Sequence, residues 1–262
     1  MKERIITAII GLILFIPIVI YGDWPFVVLV YLLASLALIE LLMMKKIAIA
    51  SFPTIIGLGV LWLILMTENV YSLAETIPMN RMEILFLFVL ILMAYTVIVK
   101  NRFTFDGVSF VIASALYIGI GFSYFIETRF VGLEYVIYVL LVIWLTDTGA
   151  YFTGKFFGKH KLWPVISPKK TIEGFVGGIL SAMVAATIIQ LITPIHDNLL
   201  VLLLVTIFAS TLAQLGDLVE SALKRHLDVK DSGTLLPGHG GIFDRFDSLI
   251  FMVPFLHFIQ FF

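Results

Sequence analysis

The residues best suited to chemistry gather toward the C-terminus. One run reads Gln214-Leu215-Gly216-Asp217-Leu218-Val219-Glu220-Ser221-Ala222-Leu223-Lys224-Arg225. If the run is helical, Asp217, Ser221 and Lys224 share one face at i, i+4 and i+7, with Arg225 beside them. A carboxylate, a hydroxyl and two cations on one face can hold a metal ion and a phosphate. A helix end with a snorkelling basic pair accounts for the same run less specifically.

Three more polar groups follow: Lys230-Asp231-Ser232-Gly233, Pro237-Gly238-His239-Gly240-Gly241 and Asp244-Arg245-Phe246-Asp247. Glycines around His239 let backbone approach a ligand closely. Asp244 and Asp247 are three residues apart, so both can face one site if a helix starts near Ile242. Carboxylates with no cysteine in the chain favour a hard cation such as Mg²⁺, held by one or two carboxylates and substrate phosphates. Lysine and arginine can neutralise the phosphate oxygens. A merely solvated loop would leave this density of charge in an apolar chain unexplained.

A second basic stretch spans 153–171. It contains five lysines, among them Lys169 and Lys170, together with His160 and a Ser-Pro-Lys-Lys-Thr turn. A helix starting near Ile172 would add its own N-terminus and a hydroxyl cap, a set able to hold phosphate. Anchoring to anionic lipid is the plainer alternative. Three carboxylates lie in or beside apolar stretches: Glu40, Asp147 and Asp217. Such groups are functional candidates in a membrane. Glu40 can equally snorkel or pair with Lys45 or Lys46, and it receives no role from sequence.

The elements that must position these residues follow from composition. The chain has 262 residues, of which 61% are hydrophobic and 13% charged, and its mean hydropathy is +1.09. Soluble domains are about 45–50% apolar and about 25% charged, so lipid must solvate much of this surface. The net charge of -1 offers no basic field for nucleic acid. About 20 apolar residues cross a bilayer as a helix. Nine stretches qualify as candidates: 5–22, 25–43, 48–66, 82–99, 108–126, 133–152, 172–192, 198–216 and 248–262. The fold expected is an all-α, polytopic transmembrane bundle. The first stretch reads as a span rather than a cleaved signal, because no small-residue cleavage site follows it.

With the N-terminus in the cytoplasm, nine spans place every basic residue except Arg81 and Arg129 on the cytoplasmic side. The cytoplasmic segments 153–171 and 217–247 then fall on one side. The chain divides into N-terminal helices, 1–130, and a C-terminal catalytic region, 131–262.

The segment Ser221-x-Leu-Lys224-Arg225-x4-Lys230-Asp231-x-Gly233-x2-Leu-Pro237-x-His239-Gly240-Gly241-Ile-x-Asp244-Arg245-Phe-Asp247 resembles the signature of the phosphatidate cytidylyltransferase (CDP-diacylglycerol synthase) family, bacterial type. The resemblance extends upstream to Asp147-Thr148-Gly149-Ala150-Tyr151, Gly154-Lys155 and Ser167-Pro168-Lys169-Lys170-Thr171-x-Glu173-Gly174. It covers about residues 140–262. It implies transfer of CMP from CTP to phosphatidic acid, giving CDP-diacylglycerol and pyrophosphate. On this reading Asp217, Ser221, Lys224, Arg225, Asp244 and Asp247 form the catalytic set. Asp217 and Asp244 take Mg²⁺, and a second cation fits the carboxylate count. Lys169, Lys170, Lys230, Arg245 and Asp147 serve substrate, while Asp231 and His239 orient the site or touch nucleotide.

Two rival readings have discriminators. A CTP-dependent lipid kinase would transfer the γ-phosphate and release CDP. An ion-coupled transporter would need polar residues through the membrane midplane, whereas these cluster near one surface. No GxxxxGK[ST] pattern is present. A short, cysteine-free chain without a targeting extension favours a bacterial inner membrane, and the number of apolar helices favours a homodimer.

Overall fold

A chain crossing lipid must satisfy each backbone N–H and C=O internally, and helices do so. The computed structural model is accordingly all-α apart from one small hairpin. It describes residues 2–67, 80–235, 238 and 240–262, with backbone alone at 2–6, 8 and 9. Among the described residues run α1 (Lys2–Tyr21), α2 (Asp23–Met44), α3 (Phe52–Leu65), α4 (Arg81–Ile98), α5 (Phe105–Val131) and α6 (Leu133–Phe157). The hairpin β1 (Lys161–Trp163) and β2 (Ser167–Thr171) follows, then α7 (Ile172–Ile192), α8 (Leu199–His226) and α9 (Phe243–Phe258).

Each of the nine apolar stretches overlaps one helix, but fewer qualify as spans. Among the described residues, six helices are long and apolar enough to cross a membrane: α2, α4, α5, α6, α7 and α8. The third stretch starts late because Ser51, at the N-cap position of α3, has extended backbone and Pro53 occupies the first turn, leaving 14 residues. α9 has 16 residues and carries Asp244, Arg245 and Asp247 in its first turns. The protein is an integral membrane protein; its described residues include six candidate spans and the shorter helices α3 and α9, while α1 runs 20 residues with side chains described only in part. Leu191, Ile192 and Val97 are each more than three-quarters exposed, which suits acyl chains rather than water.

The chain forms two compact units. One comprises Met1–Glu127 with Asp231–Phe243, and the other Thr128–Lys230 with Asp244–Phe262. The segment 231–243 thus belongs with the N-terminal helices rather than with the C-terminal region.

In the first unit the core lies along α2 and α5. Phe26, Val30, Ala34 and Leu38 of α2 are buried, as are Val111, Ile118, Phe122 and Phe125 of α5. The Phe26 and Phe125 rings meet edge to face at 5.3 Å.

In the second unit α6 and α7 pack through small residues. A Cβ on Gly178 would sit 2.9 Å from the Thr146 carbonyl oxygen, and one on Gly174 would sit 2.8 Å from that of Ala150. Close backbone approach of this kind replaces the hydrophobic drive that lipid removes. Hydroxyl pairs join α6 to α8: Tyr138 to Thr206 at 2.8 Å and Thr146 to Ser210 at 2.9 Å.

Candidate active site

α8 does not stop at the apolar boundary expected near Gly216 but continues to His226. The predicted face therefore exists as helix, and Asp217, Glu220, Ser221 and Lys224 project from its last turns. α9 begins at Phe243, one residue after the expected Ile242, and presents Asp244 and Asp247 on one side. Gly216 lets the two helices approach: a Cβ there would lie 2.6 Å from the Asp247 carbonyl oxygen.

Asp217, Glu220 and Asp247 converge, with one carboxylate oxygen from each lying within 4.8 Å of the others. Glu220 is 2% exposed and its Oε1 is buried without a hydrogen-bond partner. Asp247 is also buried and accepts the Ser248 backbone N–H at 2.7 Å. Burial, reinforced by the nearby Asp217 carboxylate, pushes the Asp247 carboxyl up to about 7. Three crowded carboxylates, one with an orphaned oxygen, form a hard-donor set that fits a divalent cation such as Mg²⁺.

Lys224 stands beside this trio. Its Nζ lies 2.5 Å from Glu220 Oε2 and 2.7 Å from Asp244 Oδ1. Lys224 thus engages both Asp244 and one oxygen of Glu220, while Asp217 and Asp247 lie across the acidic cluster from each other. Ser221 reaches Asp217 with a long contact of 3.5 Å. Arg225 and Lys230 are exposed.

The 153–171 stretch is not an open loop. α6 occupies it up to Phe157, and an antiparallel hairpin pairs Lys161 with Thr171 and Trp163 with Ser167. Thr171 caps α7 by accepting the Gly174 N–H at 3.1 Å, as the Ser-Pro-Lys-Lys-Thr turn predicts. Glu173 ties down the hairpin base, accepting the Lys159 and His160 backbone N–H groups and lying 2.6 Å from His160 Nδ1.

β2 delivers Lys170 to Asp217, with Nζ to Oδ2 at 2.6 Å. A cleft of about 350 Å³ opens there, lined by Asp147, Lys155, Lys169, Lys170, Gln214 and Asp217, with Tyr151 and Phe175 among its apolar walls. Asp147 lines the same cleft as Lys170 and Asp217. The cleft therefore sets three lysines against carboxylates, an arrangement able to receive a polyanion and its counter-cation.

Sequence reasoning left two carboxylates without a role. Glu220 could have been found from its spacing, three residues beyond Asp217 and four before Lys224. Glu40 had no local signal. It is 7% exposed in the first unit, where its carboxylate accepts the backbone N–H groups of Ile242 and Phe243, each at 2.9 Å. Asp231 in that unit is exposed, and His239 lies outside the described residues.

Residues 2–262 match the Cytidylyltransferase family. The chain is 55% identical over 262 residues to the phosphatidate cytidylyltransferase of Bacillus subtilis, covering 99% of this chain and 97% of the relative. It is 49% identical over 257 residues to that of Staphylococcus epidermidis strain ATCC 12228, and 47% identical over 257 residues to that of Staphylococcus aureus strain COL. Each of these alignments covers 98% of both chains.

Proposed function

The chain belongs to the cytidylyltransferase family, and from that premise we propose that it is a phosphatidate cytidylyltransferase, transferring CMP from CTP to phosphatidic acid in phospholipid synthesis. The structural observation that supports this is the Asp217–Glu220–Asp247 cluster beside a lysine-lined cleft.

The reacting group needs little activation, because a phosphate monoester is already an anionic nucleophile. One of its oxygens forms a bond to the α-phosphorus of CTP. The bond from that phosphorus to the bridging oxygen breaks, and pyrophosphate leaves with the electron pair. The protein's work is alignment and charge neutralisation.

Lys169 and Lys170 are assigned to phosphate oxygens in the cleft, and Lys155 lines the same wall. Lys224 holds Glu220 and Asp244 in place. Arg225, Lys230 and Arg245 are assigned to phosphates, and Asp147 to orienting the lysines. Asp231 and His239 keep the nucleotide role that the family resemblance implies. Mg²⁺ would be held by Asp217, Glu220 and Asp247, with Asp244 kept by Lys224 as a neighbour of the cluster rather than a ligand. When bound, the cation supplies charge neutralisation for the triphosphate.

We also propose that the N-terminus and the site face the cytoplasm of a bacterial inner membrane. The bias of basic residues supports this orientation. CTP would then arrive from water and the lipid from the adjoining leaflet. The proposal includes a homodimer.

The test is purified protein with phosphatidate, Mg²⁺ and CTP labelled at the γ-phosphate. Labelled pyrophosphate and a CDP-lipid are expected. Label appearing on lipid, with release of CDP, would overturn the reading in favour of a kinase.

A further inference from the structure

Glu40 stands in the last turns of α2, where a negative charge opposes the helix dipole. It is buried all the same, and a buried carboxylate is tolerated only when hydrogen-bonded or paired. Three donors meet it. Oε1 accepts the Ile242 N–H at 2.9 Å; Oε2 accepts the Phe243 N–H at 2.9 Å and the Ser232 hydroxyl at 3.1 Å. Ser232 and Phe243 bracket the segment that contains Gly233, Gly238, Gly240 and Gly241. Two of these glycines are shaped to the same carboxylate. A Cβ on Gly233 would lie 2.7 Å from Glu40 Oε1, and one on Gly241 would run into Glu40 Oε2.

We infer that Glu40 is a positioning residue, a clasp whose two oxygens tie Ser232 to Ile242 and Phe243 and so fix both ends of a segment to which a nucleotide role is assigned. The kinetic part of this inference rests on the cytidylyl-transfer reading; the structural part does not. The chemistry of the clasp is specific. Backbone N–H groups and a hydroxyl donate to it, so both oxygens must accept. A carboxylate has two such oxygens. Glutamine has the same shape but one acceptor oxygen, and its amide would turn donor against donor. Aspartate is one methylene too short to reach all three.

The test uses the full chain in detergent or lipid nanodiscs, comparing wild type with Glu40→Gln, Glu40→Asp and Ser232→Ala. Amide hydrogen exchange is read across 231–243 and, as an internal reference, across α6 to α8. In Glu40→Gln the 231–243 amides should exchange at least about tenfold faster, in keeping with the loss of a hydrogen bond to a charged group, while the reference helices stay as in wild type. The KM for CTP should rise about tenfold while kcat at saturating CTP changes by less than about threefold. Ser232→Ala leaves both backbone bonds and should show the same pattern at about a third of the size; it carries the test if Glu40→Gln does not fold. Unchanged exchange at 231–243, or a fall in kcat with the KM for CTP unmoved, would overturn the inference. A wild type that makes no CDP-lipid would instead overturn the functional reading and leave the exchange comparison to judge the clasp.

Discussion

Lys170 on the β-hairpin and Asp217 near the end of α8 form a 2.6 Å ion pair, linking the basic stretch to the acidic cluster 47 residues downstream. Both side chains are about a third exposed. The pair is therefore accessible and exchangeable, and an arriving phosphate can compete with Asp217 for the lysine while a cation competes with Lys170 for the carboxylate.

Asp217→Asn should leave the fold intact, because the side chain is partly solvated, and should lower kcat/KM by at least about a hundredfold by removing a charged ligand. Thermal unfolding and initial rates on the same sample check both halves. Activity within a few-fold of wild type would remove Asp217 from the metal set.

Lys170→Met should raise the KM for CTP or phosphatidate about tenfold or more, with a smaller effect on stability, as expected for a phosphate contact. Titrating each substrate separately identifies which phosphate the lysine meets.

Lys224 has a different job, since it sits half-buried between Glu220 and Asp244. Lys224→Met strands two carboxylates and should destabilise the protein by about 3–5 kcal/mol. Pairing it with Asp244→Leu should recover part of that loss. Denaturation in mixed micelles measures the recovery, and its absence would show that the three groups do not act together.

Gly216→Ala should push α8 away from the start of α9, since the added methyl meets the Asp247 carbonyl oxygen. Overpacking of this kind costs about 1–3 kcal/mol. The apparent Mg²⁺ affinity should weaken with it, which a metal titration of activity would detect.

Asp247 gives the site a pH dependence. Its carboxyl is raised to about 7 by burial and by Asp217, so in the metal-free protein it is protonated below that value and ionised above it. A cation binds the ionised form. Apparent Mg²⁺ affinity should therefore strengthen as pH rises through about 7, by up to about tenfold per unit for one proton released. The stability contribution runs the other way: protonated Asp247 favours the folded state, and this is lost as pH rises through about 7. Isothermal titration in two buffers of different ionisation enthalpy measures the released proton. Affinity independent of pH between 6 and 8 would remove Asp247 from the ligand set.

Much of this protein could be read from its residues alone. Apolar runs had to be helices, because lipid offers the backbone no other partner. Thr171 had to cap a helix, and Asp217, Ser221 and Lys224 had to share a face once α8 ran through them, because helical periodicity is a local property. The proposed Mg²⁺ and phosphate chemistry rests on the carboxylates and lysines of a chain with no cysteine.

What periodicity cannot fix is how one helix is rotated and shifted against another. Three-dimensional packing therefore decided that Asp247 and Glu220 join Asp217 while Asp244 turns to Lys224. It also decided that the basic stretch is a hairpin aimed at Asp217, and that α3 and α9, with 14 and 16 residues, fall short of a spanning length. Glu40 shows the limit most plainly. Its partners lie about 200 positions away in the chain, two of them are backbone N–H groups carrying no side-chain signature, and only the folded first unit brings them to one carboxylate.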